Sequence, residues 1–424
     1  MQPLRGTKDI LPNEIQTWQK IYRITNDILK IHNYKEIRTP IIENTELFER
    51  SIGNFTDIVN KEMYSFYDQG KRNITLRPEG TASIARALIT NKLYTDKPIN
   101  RLWYLGPMFR YERPQKGRQR QFHQLGIECI GSSMPIADIE VIKLATDILK
   151  QIECKEEYLL EINSIGNLQE REVYKLNLIE YLKKYEHELD TDSRNRINKN
   201  PLRILDSKYL KTQKILKNAP KLKQYLNKTS LEHFETICEN LTYLKIKYTV
   251  NDHLVRGLDY YNYTAFEIKT KNLNQQNTIC GGGRYDNLIK QLGGPSIPAV
   301  GWAIGLERLI ILMQTNLSEN IKKDRIYIAI QNLHTINILW DIINILKEYH
   351  IKFELDLSNN NLTKQIKKAN QLKTKICFIL GEDEIKNKSI TIKWLQTRTQ
   401  QTIKISNLRK YIQYLKKFNN LTEY

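Results

Sequence analysis

The sequence predicts a mixed fold with three parts: a core of strands and helices, a helical insertion within that core, and a separate C-terminal α/β domain. Strand-like and helical segments are interspersed in residues 1–170 and again in 251–320. Residues 171–245 are rich in lysine, nearly free of glycine and helical in pattern. After about residue 320, strands and helices alternate as βαβαβ, which is typical of a small α/β domain.

The first predicted elements follow from hydrophobic periodicity and from proline. Residues 13–32 predict an amphipathic helix, because their apolar residues fall roughly on one stripe. Residues 34–39 predict a strand that is stopped by the proline after it. Residues 74–77 form a short extended run, and residues 78–93 predict a helix that opens on Pro-Glu-Gly-Thr.

The middle of the chain alternates between strands and helices. Two strands joined by a long polar loop are predicted at 101–112 and 121–131, and an amphipathic helix is predicted at 136–152. After the lysine-rich segment, strand-like segments return at 254–270 and 276–283. A strand that runs directly into a helix then follows, at residues 301–312.

The C-terminal α/β domain is predicted element by element. In chain order its strands and helices are expected at 326–330 (strand), 335–349 (helix), 351–357 (strand), 361–371 (helix), 376–380 (strand), 390–397 and 401–405 (two polar strands) and 407–418 (helix).

The chain is strongly basic, and its charge is unevenly distributed. The net charge is +19, of which +7 lies in residues 171–250 and +10 in residues 321–424. Such a charge favours a polyanionic partner: a nucleic acid, a nucleotide or a membrane surface. A genome-wide bias toward lysine codons would spread the charge more evenly. The distribution therefore favours two basic docking surfaces beside a nearly neutral site.

Composition also excludes several classes of protein. Hydrophobic residues make up 40% and charged residues 27%, which excludes a disordered tail. No apolar run approaches the ~20 residues that span a bilayer, and the N-terminus has no signal-peptide pattern. The five cysteines are scattered without a C-x-x-C pair. We therefore expect no membrane segment, no disulfide framework and no zinc site, and a reducing compartment.

The most informative stretch is residues 106–131, GPMFRYERPQKGRQRQFHQLGIECIG. Its polar loop, residues 113–120, carries four cations around Gly117. These cations suit a triphosphate, because arginine forks match phosphate oxygens in a bidentate manner. An exposed basic hairpin would have the same composition, so charge alone leaves both interpretations open. The four cations are Arg113, Lys116, Arg118 and Arg120.

The predicted strands on either side of this loop indicate a polar pocket. Alternation places Arg110 and Glu112 on one face, and Gln124, Gly126 and Glu128 on one face. That face offers a cation, two carboxylates, an amide and a glycine gap. A buried core face would not be built in this way, because an unpaired buried charge destabilises by several kcal/mol.

Three further motifs accompany this pocket. LVRGLDYYNYTAFE, at residues 254–267, places Arg256 in an apolar, aromatic strand. Tyrosine stripes are more often core, but an arginine among them needs an anionic partner. CGGGRYD, at 280–286, has three glycines that allow close approach of a ligand or form an ordinary turn.

In GWAIGLERL, at 301–309, small residues leave room for a flat ring, and Arg308 could reach a phosphate tail. An ordinary surface pair of glutamate and arginine is the alternative for this motif. The sequence contains neither a P-loop nor a strand-linked dinucleotide fingerprint.

Together these segments resemble the histidyl-tRNA synthetase family of class II aminoacyl-tRNA synthetases. LRGTKD at residues 4–9 and TLRPEGT at 75–81 are similar to its N-terminal half. The stretch around Pro40 resembles class II motif 1, residues 103–131 resemble motif 2, and residues 299–309 resemble motif 3. LVRGLDYYNYTAFE and GGGRYDNL resemble the two histidine-specific motifs. The similarity covers nearly the whole chain and is weakest in the lysine-rich insertion and the final strands.

The resemblance implies a fold, a domain order and an activity. The fold is an α+β catalytic core, an antiparallel sheet flanked by helices, with a helical insertion and a C-terminal α/β anticodon-binding domain. The core is expected in 1–170 and 251–320, the insertion in 171–250 and the anticodon-binding domain in 321–424. The activity is a ligase that converts L-histidine and ATP to histidyl-adenylate and transfers the histidyl group to the 3′ end of tRNA(His).

For ATP, the resemblance implies a set of arginines around the phosphates. Arg110 holds the α-phosphate during attack by the histidine carboxylate, and Arg256 stabilises the same phosphorus from the other side. Arg308 holds the γ-phosphate, with Glu112 and Arg118 also near the nucleotide. Mg²⁺ accompanies ATP, and neither a protein-bound metal nor zinc is expected. Catalysis then consists of positioning and charge stabilisation.

For histidine, the resemblance implies acceptors for the α-ammonium and partners for both imidazole nitrogens. Glu79, Thr81 and Gln124 suit the ammonium group. Glu128 and Tyr261 suit the ring nitrogens. The full expected set is Glu79, Gly80, Thr81, Gln124, Glu128, Tyr260, Tyr261 and Tyr285, with two of the tyrosines, Tyr260 and Tyr285, forming walls.

The resemblance also implies partners and a place of action. Motif 1 helps to build the dimer in this family, so we expect a homodimer through residues 34–60. The basic insertion is expected to clamp the acceptor stem of tRNA(His). No membrane partner is expected. A bacterial cytoplasm or the stroma of a plastid that encodes the chain would both fit, because no presequence precedes the first motif.

Three alternatives compete with this interpretation. The first is a catalytically inactive paralogue, the regulatory subunit of ATP phosphoribosyltransferase, which would lack the C-terminal domain and would not be expected to keep Arg110, Arg256 and Arg308 together. The second is another class II synthetase, for proline, threonine or glycine, against which the paired histidine motifs argue. The third is a non-enzymatic RNA-binding protein, which would explain the charge but not the neutral pocket.

Overall fold

A computed structural model describes residues 1–53, 56–152, 157–207, 209–270, 278–313, 325–331, 336–358 and 360–418. It divides the chain into two compact units, Met1–Asn316 and Leu317–Tyr424, which are described separately below. Residues 276–277 of one predicted strand, residue 335 of a predicted helix and residues 54–55 of the predicted dimer segment lie outside the described residues.

The strands of the first unit are, in chain order, β1 (Lys35–Glu36), β2 (Ile42–Asn44), β3 (Tyr64–Tyr67), β4 (Asn73–Leu76), β5 (Asn100–Phe109), β6 (Gln121–Ile130), β7 (Tyr158–Ser164), β8 (Tyr248–Val250), β9 (Asn262–Thr270), β10 (Thr278–Arg284) and β11 (Ala299–Gly305).

These strands form one large sheet and one small sheet. The large sheet has eight strands in the order β1-β5-β6-β11-β10-β9-β7-β8. Its six central strands are antiparallel, and β1 and β8 pair in parallel at its two edges. The order β2-β4-β3 gives the small antiparallel sheet. The predicted antiparallel sheet of the core is therefore confirmed.

The α-helices of the first unit are α1 (Pro12–Ile31), α2 (Thr45–Ile52), α3 (Thr81–Thr90), α4 (Leu93–Asp96), α5 (Pro135–Gln151), α6 (Leu168–Lys183), α7 (Thr191–Arg196), α8 (Leu210–Leu216), α9 (Lys228–Tyr243), α10 (Leu288–Gln291) and α11 (Leu306–Met313).

The long helices begin where the sequence supplies a start signal. Proline occupies the first turn of both α1 and α5, where a missing N–H leaves no helical hydrogen bond unmade. Both lie within one or two residues of their predicted ranges, and α5 buries ten of its residues. That burial makes α5 the main helix packed on the large sheet.

The lysine-rich segment is helical, as predicted, and side-chain caps fix its two long helices. Asn167 and Glu170 form a capping box at the start of α6. The Glu170 carboxylate also accepts the backbone N–H of Asn227, the residue that caps α9. One glutamate therefore ties together the N-termini of two helices that lie about 60 residues apart in sequence.

Two strand predictions need correction. The predicted strand 254–270 begins only at Asn262, and the residues before it form a loop. The predicted strand 101–112 ends at Phe109. Arg110 still donates its backbone N–H to Arg120 O across the hairpin, at 2.8 Å, but the N–H of Tyr111 turns away and donates to Glu62 O at 2.6 Å. Strand alternation therefore does not place Arg110 and Glu112 on one face. Neither β7 nor β8 was expected from the sequence.

The elements of the second unit are β12 (Ile326–Ile330), α12 (Ile336–Glu348), β13 (Phe353–Leu355), α13 (Leu362–Gln371), β14 (Ile376–Leu380), α14 (Glu382–Lys386), β15 (Ser389–Trp394), β16 (Gln400–Lys404) and α15 (Leu408–Phe418).

The second unit is an α/β domain, as predicted. Its five strands have the order β13-β12-β14-β15-β16, with β12 parallel to both of its neighbours and the last two strands added antiparallel. Alternate residues of β12 face opposite sides: Ile326 and Ile328 enter one apolar cluster, and Tyr327 and Ala329 enter another. Burial on both faces explains the continuous apolar runs in the sequence.

Two structural findings concern the described residues only. No helix among them is both long and apolar enough to cross a bilayer. Cys129, Cys238, Cys280 and Cys377 are free thiols, and Cys154 lies outside the described residues.

Candidate active site

A cavity of about 310 Å³ in the first unit gathers most of the predicted site residues. It is lined by ten of them: Glu79, Thr81, Arg110, Glu112, Arg118, Gln124, Arg256, Tyr260, Tyr261 and Arg308. The other three predicted residues, Gly80, Glu128 and Tyr285, are buried and do not line the cavity.

Three cations crowd one part of the cavity. The Nε of Arg110 donates to Pro78 O at 2.8 Å, and the Nε of Arg308 donates to Gly117 O at 3.1 Å. Burial lowers the pKa of Arg110. Burial, and then the charges of Arg118 and Arg110, lower the pKa of Arg308. Because these cations raise one another's energy, an anion placed among them would be stabilised.

Arg256 lies in the loop before β9 rather than in a strand. Its guanidinium forms an ion pair with Glu267 on β9, which is the anionic partner that the sequence required but did not identify. Burial alone would lower the pKa of Arg256, but the Glu267 carboxylate raises it. The Nε of Arg256 is buried without a hydrogen-bond partner among the described residues. Arg256 therefore stays charged and keeps one donor unused.

Carboxylate and amide acceptors lie elsewhere on the cavity wall. Glu79 accepts the backbone N–H groups of Thr81 and Ala82, both at 2.7 Å, at the start of α3. Burial raises the pKa of Glu79. The Oε1 of Gln124 is buried and has no hydrogen-bond partner among the described residues. An orphaned acceptor beside a carboxylate suits an ammonium group.

Glu128 lies one hydrogen bond behind this wall. Its carboxylate accepts the Thr81 hydroxyl at 2.7 Å and the Tyr285 hydroxyl, and Glu128 is 1% exposed. Burial raises the pKa of Glu128 to about 8, against the opposing effect of the two hydroxyl donors. A Cβ at Gly301 would collide with this carboxylate, which explains a glycine in that strand.

A tyrosine fills the predicted gap at Gly126. A Cβ at Gly126 or at Gly80 would collide with the ring of Tyr104 on β5. An aromatic ring from the neighbouring strand therefore occupies the glycine gap of the predicted polar face. The buried Tyr104 hydroxyl has no partner among the described residues. The feature of the sequence that reflects this contact is the pair of glycines, Gly80 and Gly126, which both leave space for the same ring.

The glycine run of β10 is likewise occupied mainly by protein atoms. A Cβ at Gly281 would meet the Arg256 guanidinium, and one at Gly282 would meet Gly301 O and Trp302 on β11. The glycine run lies within strand β10 rather than in a turn, and of its three glycines Gly281 lines the cavity. Gly305 on β11 is different, because it lines the cavity and nothing lies within 4 Å of an added Cβ. This is the open wall that a flat ring needs.

The loop at 113–120 contributes fewer cations than its composition suggests. Among its four, Arg118 lines the cavity, where it forms an ion pair with Glu112. Arg120 instead lies 3.9 Å from the centre of the Tyr111 ring and donates to Glu112 O at 3.3 Å. Packing on the tyrosine therefore turns one of the expected phosphate ligands into a structural residue.

Two acidic residues of the cavity have roles that the sequence did not reveal. Glu307 accepts the backbone N–H of His123 at 3.0 Å and contacts its Nδ1 at 3.0 Å, so it does not form a surface pair with Arg308. Glu62 lines the cavity and offsets the positive charge of Arg110 and Arg118. Both partners are distant in sequence and gave no local signal.

The described residues contain no group of three or more histidine, cysteine, aspartate or glutamate side chains that could hold a metal ion.

Comparisons with known proteins agree with this geometry. Residues 6–309 match the family profile described as histidyl-tRNA synthetase, and residues 325–415 match the profile of an anticodon-binding domain. The chain is 62% identical over 415 residues to the chloroplastic histidine–tRNA ligase of Gracilaria tenuistipitata var. liui, with 98% of each chain covered. It is 50% identical to the histidine–tRNA ligase of Cyanothece sp. (strain PCC 7425 / ATCC 29141), covering 96% of this chain and 95% of the relative.

A solved structure is similar over the same extent. Apo histidyl-tRNA synthetase of S. aureus superposes with a TM-score of 0.79 at 34% identity, covering 97% of this chain and 99% of that one. The resemblance and the fold class inferred from the motifs are both confirmed. The chain belongs to the histidyl-tRNA synthetase family.

Proposed function

We propose that this chain is a histidine–tRNA ligase, which joins L-histidine to ATP and then transfers the histidyl group to the 3′ end of tRNA(His). One observation carries the proposal: a single cavity combines a group of arginines with a separate set of carboxylate, amide and hydroxyl groups. The arginines suit a polyphosphate, and the other groups suit an amino acid with a polar ring. Membership of the family implies ATP as a substrate and Mg²⁺ as the metal ion that accompanies it.

Arg110 and Arg256 are the proposed catalytic residues. The histidine carboxylate attacks the α-phosphorus of ATP, the bond to the β-phosphate breaks, and pyrophosphate leaves. The two guanidinium groups stabilise the negative charge that builds up on the α-phosphate oxygens. The unused Nε of Arg256 supports this role. Mg²⁺ bound with ATP supplies further charge neutralisation, and no side chain acts as a covalent nucleophile.

Arg308 is proposed to hold the γ-phosphate, with Glu112 and Arg118 beside the nucleotide. The repulsion among the cations of this part of the cavity is relieved when the triphosphate enters. The adenine ring is proposed to lie against the open wall at Ala303 and Gly305, where small side chains leave room.

Glu79, Thr81 and Gln124 are proposed to receive the α-ammonium of histidine, next to Gly80. The orphaned Oε1 of Gln124 supports this assignment. Tyr260 and Tyr285 are proposed to form aromatic walls of the histidine site. Their ring centres are 5.6 Å apart, and Tyr260 lines the cavity directly.

Glu128 and Tyr261 are proposed to bind the two imidazole nitrogens. Each oxygen of the Glu128 carboxylate already accepts one hydroxyl and has a second lone pair. Tyr261 lines the cavity, and its ring centre lies 6.3 Å from that of Tyr285. A buried acid with no cationic partner among the described residues favours a ligand that has a ring N–H. Amino acids without such a group would therefore be rejected.

We propose the domain roles that the sequence suggested. The catalytic core comprises 1–170 and 251–320, the insertion at 171–250 contacts the acceptor stem, and residues 321–424 bind the anticodon. The positive charge of the last two segments supports contact with tRNA. Chloroplastic and cyanobacterial relatives support action in a plastid stroma or a bacterial cytoplasm.

A homodimer through residues 34–60 and the small sheet beside them is part of the proposal. Ile41, Ile42, Phe66 and Tyr67 are large apolar residues with exposed fractions between 41% and 73%. Apolar groups concentrated at one sheet favour a protein interface. In sedimentation velocity we expect a dimer at micromolar concentration, and a monomer at every concentration would contradict this part.

Histidine-dependent exchange of pyrophosphate into ATP tests the main proposal. We expect exchange with histidine and none with proline, threonine or glycine. A protein that shows no exchange with histidine would instead be the inactive regulatory subunit or a plain RNA-binding protein. The regulatory subunit is not favoured, because residues 325–415 match an anticodon-binding domain that it would lack.

The variant Glu128→Ala tests the histidine site within the same assay. We expect the KM for histidine to rise by about a hundredfold, because a desolvated partner of the ring is lost. The KM for ATP should stay within about twofold of the wild type, since Glu128 lies away from the arginines. An unchanged KM for histidine would show the assignment of Glu128 to be wrong.

A further inference from the structure

The loop at residues 251–261 carries three of the proposed site residues but has no regular backbone hydrogen bonding. Residues 251–261 form neither helix nor strand, although Arg256, Tyr260 and Tyr261 all belong to them. Loop carbonyls must find donors elsewhere, because an unpaired buried carbonyl is unfavourable. Asn163 on β7 supplies one such donor, with Nδ2 at 3.1 Å from Leu254 O.

The helical insertion supplies further side-chain donors to this loop. Arg203 Nη2 lies 3.4 Å from Gly257 O. Arg171, on α6, donates from Nη1 to Tyr261 O at 2.5 Å and from Nη2 to Asp259 O at 3.4 Å. One guanidinium therefore spans two carbonyls, one of which belongs to a residue that lines the proposed histidine site.

Arg171 is buried to an unusual degree for a cation. It is 8% exposed, and burial lowers its pKa. Its Nε has no hydrogen-bond partner among the described residues. Burial of a guanidinium is unfavourable because the charge loses its hydration. The hydrogen bonds of Arg171 therefore point to a specific role in fixing the backbone of the loop.

Packing is incomplete on the side of the loop that carries these hydrogen bonds, because a second cavity lies beside them. This cavity has a volume of about 340 Å³ and separates parts of the insertion from the loop. Arg171 and Asp259 line it, and so do Arg203, Arg256 and Leu258, which also line the proposed active site. Tyr260 and Tyr261 pack into the main apolar cluster of the unit, so the polar anchors act on the backbone side of the loop that faces this second cavity.

We propose that Arg171 is a positioning residue: from the helical insertion, it holds the backbone of Tyr261 and Asp259 so that Tyr261 and Arg256 meet the substrates. The inference rests on the proposed function. Arg256 lies 5.5 Å from the Tyr261 ring, so a displaced loop misplaces both residues together. Movement of α6 is thereby linked to the histidine site, although Arg171 does not line the active-site cavity.

The variant Arg171→Met tests this role, with Arg194→Met, at an exposed arginine of the insertion, as the control. Arg194 also lies in the insertion and also binds backbone carbonyls, those of Glu186 at 3.1 Å and Leu189 at 3.2 Å, but they belong to the insertion itself. In histidine-dependent pyrophosphate exchange, we expect Arg171→Met to raise the KM for histidine at least about tenfold and to lower kcat. Arg194→Met should leave the KM within about twofold.

Active-site titration and thermal unfolding separate positioning from simple loss of folded protein. Destabilisation alone lowers Tm and the active fraction, but it leaves the KM of the remaining folded enzyme unchanged. A wild-type KM for histidine in titrated Arg171→Met would therefore overturn the proposal. Equal increases in Arg171→Met and Arg194→Met would overturn it as well.

Two further variants keep the test decisive if the methionine variant is poorly folded. Arg171→Lys retains the charge but cannot span two carbonyls, so we expect an intermediate KM. In Arg171→Ala, added ethylguanidinium should lower the KM for histidine toward the wild-type value, because the adjoining cavity can admit it. Failure of ethylguanidinium to change the KM, together with a wild-type KM in Arg171→Lys, would contradict the role.

The outcome for Arg171 is separable from the outcome for the proposed function. If the wild-type protein shows no histidine-dependent exchange, the proposed function itself fails. If the wild type exchanges and the Arg171 variants match it, the enzyme stands and the positioning role of Arg171 falls.

Discussion

At the scale of single residues, the proposed histidine site contains buried polar groups that lack a full set of partners. Glu128 has two hydroxyl partners and no cation, so burial favours its protonated form. Gln124 has an acceptor without a partner. These groups lower the stability of the empty protein, and in the proposed function histidine supplies the partners that they lack. Groups that recognise a substrate therefore lower the free energy of unfolding of the protein without substrate.

Replacement of Glu128 by glutamine should stabilise the protein increasingly as the pH rises. The pKa of Glu128 is raised from 4.5 to about 8 in the folded state. The contribution of this acid to stability is therefore fully present below pH 4.5 and is lost as the pH rises toward 8. Glutamine does not titrate, so the Tm of Glu128→Gln minus that of the wild type should increase across this window.

Thermal unfolding at intervals from about pH 5 to 9 measures this difference. The exposed Glu49→Gln variant is the control and should give a difference that does not vary with pH. A flat profile for Glu128→Gln would show that Glu128 is ionised in the folded protein throughout.

At the scale of elements, helix α5 and strand β10 are joined by a buried ion pair. Arg284 on β10 is 1% exposed, and Asp138 on α5 is fully buried. Arg284 Nε lies 3.2 Å from the Asp138 carboxylate, and Nη1 donates to Ser132 O at 2.7 Å. His233 on α9 lies 3.4 Å from the same carboxylate. The arginine of the glycine-rich motif therefore fixes helices onto the sheet instead of binding a ligand.

Asp138→Asn should destabilise the first unit by about 2 kcal/mol, because Arg284 loses its fully buried carboxylate partner and keeps Asp286, at 3.1 Å, as a counter-charge. Asp147→Asn on the same helix is the matched control, since Asp147 pairs with Lys143 and is 33% exposed. The control should change the free energy of unfolding by less than about 0.5 kcal/mol. Urea unfolding measures both, and equal small losses would mean that the buried pair contributes no more than a surface pair.

At the scale of the whole molecule, most of the net positive charge lies outside the segments that contain the proposed active site. The residues of the proposed active site combine cations with carboxylates, and the segments that contain them carry a net charge of only +2. The insertion carries +7 and the C-terminal segment +10. Bulk positive charge attracts a long polyanion, whereas paired charge at the site recognises a small polar substrate.

Salt should therefore separate the two substrates. We expect the KM for tRNA(His) in aminoacylation to rise steeply between about 50 and 200 mM salt, because binding releases counterions from the phosphate backbone. The KM for histidine, measured by pyrophosphate exchange over the same range, should change by less than about twofold. Equal sensitivity of the two constants would contradict this division of charge.

Local patterns predicted much of the fold. Helices α1 and α5 follow their periodicity and their N-terminal prolines, and the alternating pattern after residue 320 predicts the second unit almost element by element. Strand β7 was missed, and the loop before β9 was taken for a strand. That loop is apolar and aromatic like a strand, but its carbonyls bond to Arg171 and Arg203, which no local pattern indicates.

The sequence by itself determined the family, most of the elements and ten of the residues that line the cavity, because long motifs and hydrophobic periods are local properties. Only the tertiary structure decided what each of these residues faces. It pairs Arg256 with Glu267, fills the space at Gly126 with Tyr104, and buries Glu128 behind Thr81. These outcomes depend on contacts between different elements (a loop and a strand, two neighbouring strands, a helix and a strand), where burial and charge act across space and not along the chain.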